Sequence, residues 1–472
     1  MRTTASAPSD VAAPSVHRSL PVLGWAALGV AAACLLTTAV LGPSAAEPLL
    51  GAGDTGTTPP WHAEAAPPAG MVSLLLAVAV VVGAIAVALV ISGRWRPRPA
   101  RLLVVGGLVA AALALVPPVG SADPLSYASY GRMVVTGHDP YTTTPAELAP
   151  TDRVAAAVEP PWQHEPSVYG PLATAEQSLA AAVAGEDAAR IVLVLDLLGL
   201  LAFLGAGWAL LRAAGTEQGR LRAAALWTAN PLLWLQVVAG GHLDVVLAAA
   251  AVSAVLVARR RQVAGAALTG VAALIKPTGG LVWFAVAWPS RRDPRRLAVL
   301  AAVTAAVVVA GYAFTGTGAL HQLARAGRRV SRATPWRPIL DWTHAPRGLI
   351  GALALLLAIG LAVLLARDRL GTTPALVAVA ATTAYVLAAP YALPWYDALA
   401  WVMLPLIVAS WRDWLLLAHT TVLSLAYLPG RDAVQLHGSL HAVTSGMRSV
   451  AAPIALTLLV VVVALRARRA VR

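Results

Sequence analysis

Lys276 is the chain's only lysine, and it interrupts an otherwise apolar stretch. Ionisable groups in apolar segments are costly and mark functional sites by default. A compact ammonium, in a chain that otherwise uses Arg, points to a small anionic partner; snorkelling to an interface is the plainer use. Asp123, in Ser121-Ala122-Asp123-Pro124-Leu125-Ser126-Tyr127, directly follows an apolar run. A carboxylate there can face a lipid-borne substrate and water together and take a proton as a general base. An Asp-Pro pair also simply starts a turn. Gly240-Gly241-His242-Leu243-Asp244 places His and Asp two residues apart in a tight turn. They can reach one ligand, or Asp244 can cap the following helix.

Arg132, in Tyr130-Gly131-Arg132, can hold a phosphate or a lipid headgroup. Gly137-His138-Asp139-Pro140-Tyr141 reads as a structural turn. Tyr127, Tyr169 in Tyr169-Gly170-Pro171, and Trp395 and Tyr396 in Tyr391-Ala392-Leu393-Pro394-Trp395-Tyr396-Asp397 offer ring faces to a sugar. The same residues also suit an interfacial aromatic belt. Metal-ligand spacing is absent: His321, His344, His419, His437 and His441 form no motif, and Cys34 stands alone. No P-loop, Rossmann fingerprint or Gly-x-Ser-x-Gly elbow occurs. An activated substrate would then more simply arrive from the lipid phase.

These residues need a scaffold, and composition says which kind. Of 472 residues, 58% are hydrophobic and 12% charged; soluble domains carry about 25% charge. That excludes a soluble globule, a disordered chain and a nucleic-acid binder. The net charge of +13 comes from arginines lying between apolar runs, the pattern that orients a membrane protein. Apolar segments fall at 20–42, 71–92, 101–119, 189–211, 223–239, 245–258, 263–275, 278–290, 297–315, 346–366, 373–391, 397–410, 414–428 and 449–465. The expected fold is therefore all-α and polytopic, with about 14 segments, several too short to span alone. Short segments need other protein around their ends, which points to an interior site.

With the N-terminus in the cytoplasm, the basic loops fall on one side: Arg94–Arg101, Arg212–Arg222, Arg259–Arg261, Arg291–Arg296, Arg367–Arg369 and Arg412. This requires 263–290 to be a hairpin broken at Lys276-Pro277-Thr278-Gly279-Gly280. Both termini are then cytoplasmic, in a plasma membrane. Residues 1–19 form a disordered tail, 20–465 the membrane domain and 466–472 a basic tail. The long loops 43–70, 120–188, 316–345 and 429–448 lie outside. Loop 120–188, after the third span, is too long for a plain connector; 126–136 and 171–184 can form helices along the membrane surface. Loop 316–345 carries Arg325, Arg328, Arg329, Arg332 and Arg337 against the positive-inside trend. An anionic partner such as a lipid phosphate explains it, as does a simple headgroup patch.

Taken in order, Asp123, Tyr127, Gly131-Arg132, Asp139-Pro140-Tyr141, Tyr169-Gly170-Pro171, Asn230-Pro231, Gly241-His242-Leu243-Asp244, Lys276-Pro277 and Pro394-Trp395-Tyr396 resemble a family. It is that of the polyprenyl-phosphate-mannose-dependent α-(1→6)-mannosyltransferases of actinobacteria, in the GT-C glycosyltransferase superfamily. The resemblance runs from about 120 to 410; Leu243 departs from it, since the family often has Asn there. It implies an inverting transfer on the extracytoplasmic side, from polyprenyl-phosphate-mannose to a lipid-anchored mannan such as lipomannan. Asp123 would be the base, and Lys276, Arg132, His242 and Asp244 would serve the donor phosphate and sugar. Tyr127, Tyr169, Trp395 and Tyr396 would touch substrate. No cofactor is required by a phosphate leaving group held by cations, and the sequence does not decide against a divalent metal. The alternatives are transfer of arabinose from the same carrier, a lipid-linked glycan flippase or transporter, and a non-catalytic scaffold.

Overall fold

The computed structural model describes residues 20–50, 58–316, 318–368, 371–431 and 436–471, with side chains to 466. The expected N-terminal tail 1–19 lies outside these residues, whereas the expected C-terminal tail 466–472 continues the helix Ala452–Val471, with only residue 472 outside. The described chain is helical, without strands. Among the described residues, six helical stretches are long and apolar enough to cross a membrane: Pro21–Val40, Ala69–Ile91, Ala188–Ala213, Pro294–Ala313, Arg347–Leu365 and Gly438–Arg466. Four shorter apolar helices join them: Pro99–Leu113, Asp244–Ala258, Gln262–Ile275 and Pro374–Ala388.

Expected segment 414–428 falls on the helix Trp411–Ala426, and the three remaining segments are broken at prolines. Pro231 interrupts 223–239, where Asn230 accepts from the Leu232 amide at 3.1 Å. Pro277 and Pro289 reduce 278–290 to 3-10 turns around the five-residue helix Trp283–Ala287. Pro394 and Pro405 do the same to 397–410. Proline lacks the amide hydrogen and clashes with the preceding turn, so an apolar run that contains it does not yield one straight helix. At helix starts the same residue is welcome: Pro21, Pro99, Pro294 and Pro374 each occupy a first turn.

The chain does reverse at Lys276. The Gln262 amide donates to the Val286 carbonyl at 2.9 Å, and Ser290 Oγ donates to Gln262 Oε1 at 2.9 Å. The two ends of segment 262–290 therefore meet. Gly279 makes this fold-back fit: a Cβ on it would lie 2.5 Å from the Ala272 carbonyl. Arg296 Nε lies 3.3 Å from the same Gln262 side chain. This brings the 291–296 basic cluster beside Arg259–Arg261 and away from Lys276.

Two arginines read as loop charges are core residues. Arg222 is buried and pairs with buried Asp413 at 2.8 Å, while donating to the carbonyls of Leu404 and Ile407. Arg412 is also buried and donates to the carbonyls of Leu365 and Arg367. Arg222 thus binds carbonyls of the proline-broken 397–410 segment, and Arg412 binds carbonyls at the C-terminal end of the helix Arg347–Leu365.

Loop 120–188 is ordered around two helices, Asp123–Val135 and Pro171–Ala184. They pack so closely that a Cβ on Gly131 would lie 2.1 Å from the Gln177 carbonyl oxygen. Glycine is the only residue that permits this approach.

Candidate active site

Asp123 begins its helix, with its amide donating to Ser121 Oγ at 3.0 Å. The residue is almost wholly buried. Its Oδ2 receives the Tyr127 hydroxyl at 3.5 Å and lies 3.7 Å from His242 Nδ1. Tyr127 thus supplies a hydrogen bond to this carboxylate, while His242 Nδ1 stands beside it beyond hydrogen-bond distance.

Gly241 adopts φ +60°, and a Cβ there would meet Pro124 and Asp196. The turn can therefore press His242 against the start of the Asp123 helix. The His242 ring stacks on the Trp395 indole, 3.7 Å between centroids and 12° between planes. Burial, helped by the Lys276 charge, holds His242 well below its usual pKa and thus neutral. A neutral imidazole orients a carboxylate or an aromatic ring; it does not supply a resident cation for a phosphate.

Asp244 begins the helix Asp244–Ala258, and Lys276 follows the helix Gln262–Ile275. These helices run antiparallel through the Arg259–Arg261 turn, so the two residues occupy the same end. Lys276 Nζ donates to both Asp244 oxygens, at 2.9 and 2.8 Å. It also lies 4.3 Å from the Tyr396 ring centroid and 5.7 Å from that of Tyr169. The Gly170 amide donates to the Ile275 carbonyl at 3.0 Å, fixing the Tyr169 turn on the hairpin tip. Tyr169 meets Tyr127 edge to face, at 5.2 Å.

Asp123, Tyr169, Asp244, Lys276 and Tyr396 line one cavity of about 320 Å³. Tyr127, His242 and Trp395 form the layer immediately behind it. Arg132 is elsewhere: its Nε is 2.7 Å from Asp152, and Glu186 holds the other side of its guanidinium. Asp152 caps the short helix Arg153–Ala156 as well, so this arginine ties loop 120–188 together. It is a structural ion pair and not a free phosphate ligand.

Trp162, Glu165 and Tyr385 also line the cavity but were not singled out from the sequence, and Tyr130 and Tyr391 entered only within their motifs. Arg329, read only as one of five loop arginines, also lines the cavity. Its neighbours explain how a distant loop reaches the site. Ser331 Oγ donates to the Ala392 carbonyl at 3.0 Å and accepts from the Ala392 amide at 3.1 Å. Behind Tyr396, Asp397 receives Thr420 Oγ1 at 2.6 Å and pairs with His419 Nδ1 at 2.8 Å. This fully buried cluster anchors the turn that presents Trp395 and Tyr396. Among the described residues, no group of three or more His, Cys, Asp or Glu side chains is arranged to hold a metal ion.

Residues 26–292 match the family model described as alpha-(1->6)-mannopyranosyltransferase, N-terminal domain. The match covers Asp123, Tyr169, His242, Asp244 and Lys276, but not Arg329, Trp395 or Tyr396. Alpha-(1->6)-mannopyranosyltransferase A of Corynebacterium glutamicum is 30% identical over 174 residues, 36% of this chain and 35% of that protein. The protein of the same name in Mycobacterium tuberculosis is 27% identical over 320 residues, 61% of each. Alpha-(1->6)-mannopyranosyltransferase B of Corynebacterium glutamicum is 30% identical over 146 residues, 30% of this chain and 24% of that protein. The matched part is thus less than two thirds of each of these relatives.

Proposed function

Because the chain belongs to the alpha-(1->6)-mannopyranosyltransferase family, we propose that its cavity transfers mannose from polyprenyl-phosphate-mannose to a lipid-anchored mannan, forming α-(1→6) links with inversion. The observation that carries this reading is one cavity lined by both Asp123 and the Lys276–Asp244 pair, residues that lie far apart in the chain.

Asp123 accepts the proton of the acceptor's primary hydroxyl as that oxygen attacks the anomeric carbon. The new carbon–oxygen bond forms as the bond to the phosphate oxygen breaks, and the electron pair leaves with the polyprenyl phosphate. Tyr127 holds the Asp123 carboxylate in place, with neutral His242 beside it. Lys276 is the cation toward which the leaving charge develops, already oriented by Asp244 and so needing little reorganisation. Tyr169 and Tyr396 offer ring faces to the sugar. The site works on the extracytoplasmic side, with both termini in the cytoplasm; the grouping of the 259–261 and 291–296 arginines away from Lys276 supports this.

The test is incubation of the purified protein with labelled polyprenyl-phosphate-mannose and a mannan acceptor, followed by linkage analysis. New α-(1→6)-mannosyl product supports the proposal. Transfer only from the arabinose-bearing carrier, or transport without transfer, overturns it.

A further inference from the structure

Five charged side chains line the cavity: the carboxylates Asp123, Glu165 and Asp244 and the cations Lys276 and Arg329. Both cations are already paired, and the two pairs differ in kind. Lys276 engages both oxygens of Asp244, whose side chain is 3% exposed. Arg329 reaches Glu165 through one contact of 2.9 Å, with side chains 25% and 26% exposed. A partly solvated single contact is worth little, whereas removing a partner from a buried pair is costly. An anion entering this cavity therefore displaces Glu165 from Arg329 more readily than Asp244 from Lys276.

The surroundings of Arg329 suit that exchange. Its guanidinium lies 4.7 Å from the Trp162 ring centroid, a contact that orients it without using up its hydrogen-bond donors. Arginine offers five N–H donors in a planar fork matched to phosphate oxygens. The Glu165 backbone is held independently, since its carbonyl accepts from the Tyr130 hydroxyl at 2.8 Å. The carboxylate can thus give up Arg329 while its segment stays in place.

We infer that Arg329 is a second contact for the lipid phosphate and that the phosphate takes it in exchange for Glu165. This rests on the transferase reading above and assigns to the 316–345 loop the role that Arg132 does not fill. The exchange places a bidentate cation beside the phosphate as it gains charge on departure.

The test uses the purified full-length chain in nanodiscs, with farnesyl phosphate as probe and farnesol as its uncharged control. Wild type binds the phosphate more tightly than the alcohol. Arg329→Gln weakens farnesyl phosphate binding by about tenfold, the scale of one hydrogen bond to a charged group, and leaves farnesol unchanged. Arg329→Lys restores part of the loss. Glu165→Gln tightens phosphate binding several-fold, and this gain vanishes in the Arg329→Gln background. A wild type without preference for phosphate over alcohol overturns the lipid-phosphate reading itself. A clear preference that Arg329→Gln leaves intact, or a Glu165→Gln variant that binds no tighter, overturns only the exchange. The Glu165→Gln arm carries the test alone if Arg329→Gln is not monodisperse.

Discussion

The imidazole of His242 lies flat on the indole of Trp395, 3.7 Å between ring centroids, while its Nδ1 sits 3.7 Å from Asp123 Oδ2. The stack joins the 240–244 turn to the 391–397 turn directly behind the carboxylate. Trp395→Leu should keep an apolar filler but lose the flat face. We expect kcat to fall by about 100-fold, the scale of a 1 Å misplacement, with Trp395→Phe recovering much of it. Equal kcat in the Leu and wild-type proteins would show that the stack is only packing.

Asp123→Asn preserves size and most hydrogen bonding but cannot accept the proton. Turnover should drop by about 100-fold or more, the usual contribution of a general base, and donor affinity should change much less. Asp123→Glu should also be poor. Near-normal transfer by the Asn variant would remove Asp123 from the mechanism.

Lys276→Met removes the charge and keeps a long apolar stem, leaving Asp244 buried and without its cation. Two effects follow: weaker donor use and reduced stability, since a broken buried pair costs about 3–5 kcal/mol. Lys276→Met with Asp244→Asn should recover stability but not transfer. Measuring thermal unfolding and donor kinetics on the single and double variants separates the two. Recovery of both together would make Lys276 purely structural.

The sequence pattern disclosed the residues whose type is unusual for their place. Asp123, Asp244 and Lys276 are charged groups at the ends of apolar runs, where turn, cap and snorkelling readings compete with a functional one. Arg132 looked equivalent but is spent on Asp152 and Glu186, partners 20 and 54 residues away. A guanidinium's partner depends on tertiary approach, which one-dimensional spacing does not contain. For the same reason Arg222 and Arg412 resembled loop charges, although both are buried on carbonyls. Glu165 was hidden because it sits in a polar loop, where a charge is unremarkable, and Arg329 was legible only as one of five arginines in an unusually basic outer loop. Helix location was legible from apolar runs, while their continuity depended on proline at positions 231, 277, 289, 394 and 405.

Glu47 predicts a dependence on pH. Its side chain packs against Gly42, one oxygen lacks a hydrogen-bond partner among the described residues, and burial raises its pKa to about 7 despite Arg431. The folded state thus binds its proton more tightly than the unfolded state, whose pKa is near 4.5. Stability from this group is full below that value and is lost as pH rises to about 7. Glu47→Gln should therefore gain on wild type between pH 5 and 8, with little difference at pH 4. Unfolding midpoints across that range check it; a constant offset would contradict the raised pKa.

The helices Asp244–Ala258 and Gln262–Ile275 contain only 15 and 14 residues. At about 1.5 Å per residue they extend roughly 22 Å, against a hydrocarbon thickness of about 30 Å. Hydrophobic mismatch follows: when the arginine turn sits at one interface, the Asp244–Lys276 end lies several ångströms beneath the other. The protein around this pair, Tyr169 and Tyr396 included, covers the shortfall, since short segments are tolerated where other protein surrounds their ends. Under the proposed transfer, a carrier phosphate would reach this lysine while its isoprenoid tail stays among the acyl chains, so the donor would not have to leave the bilayer to react.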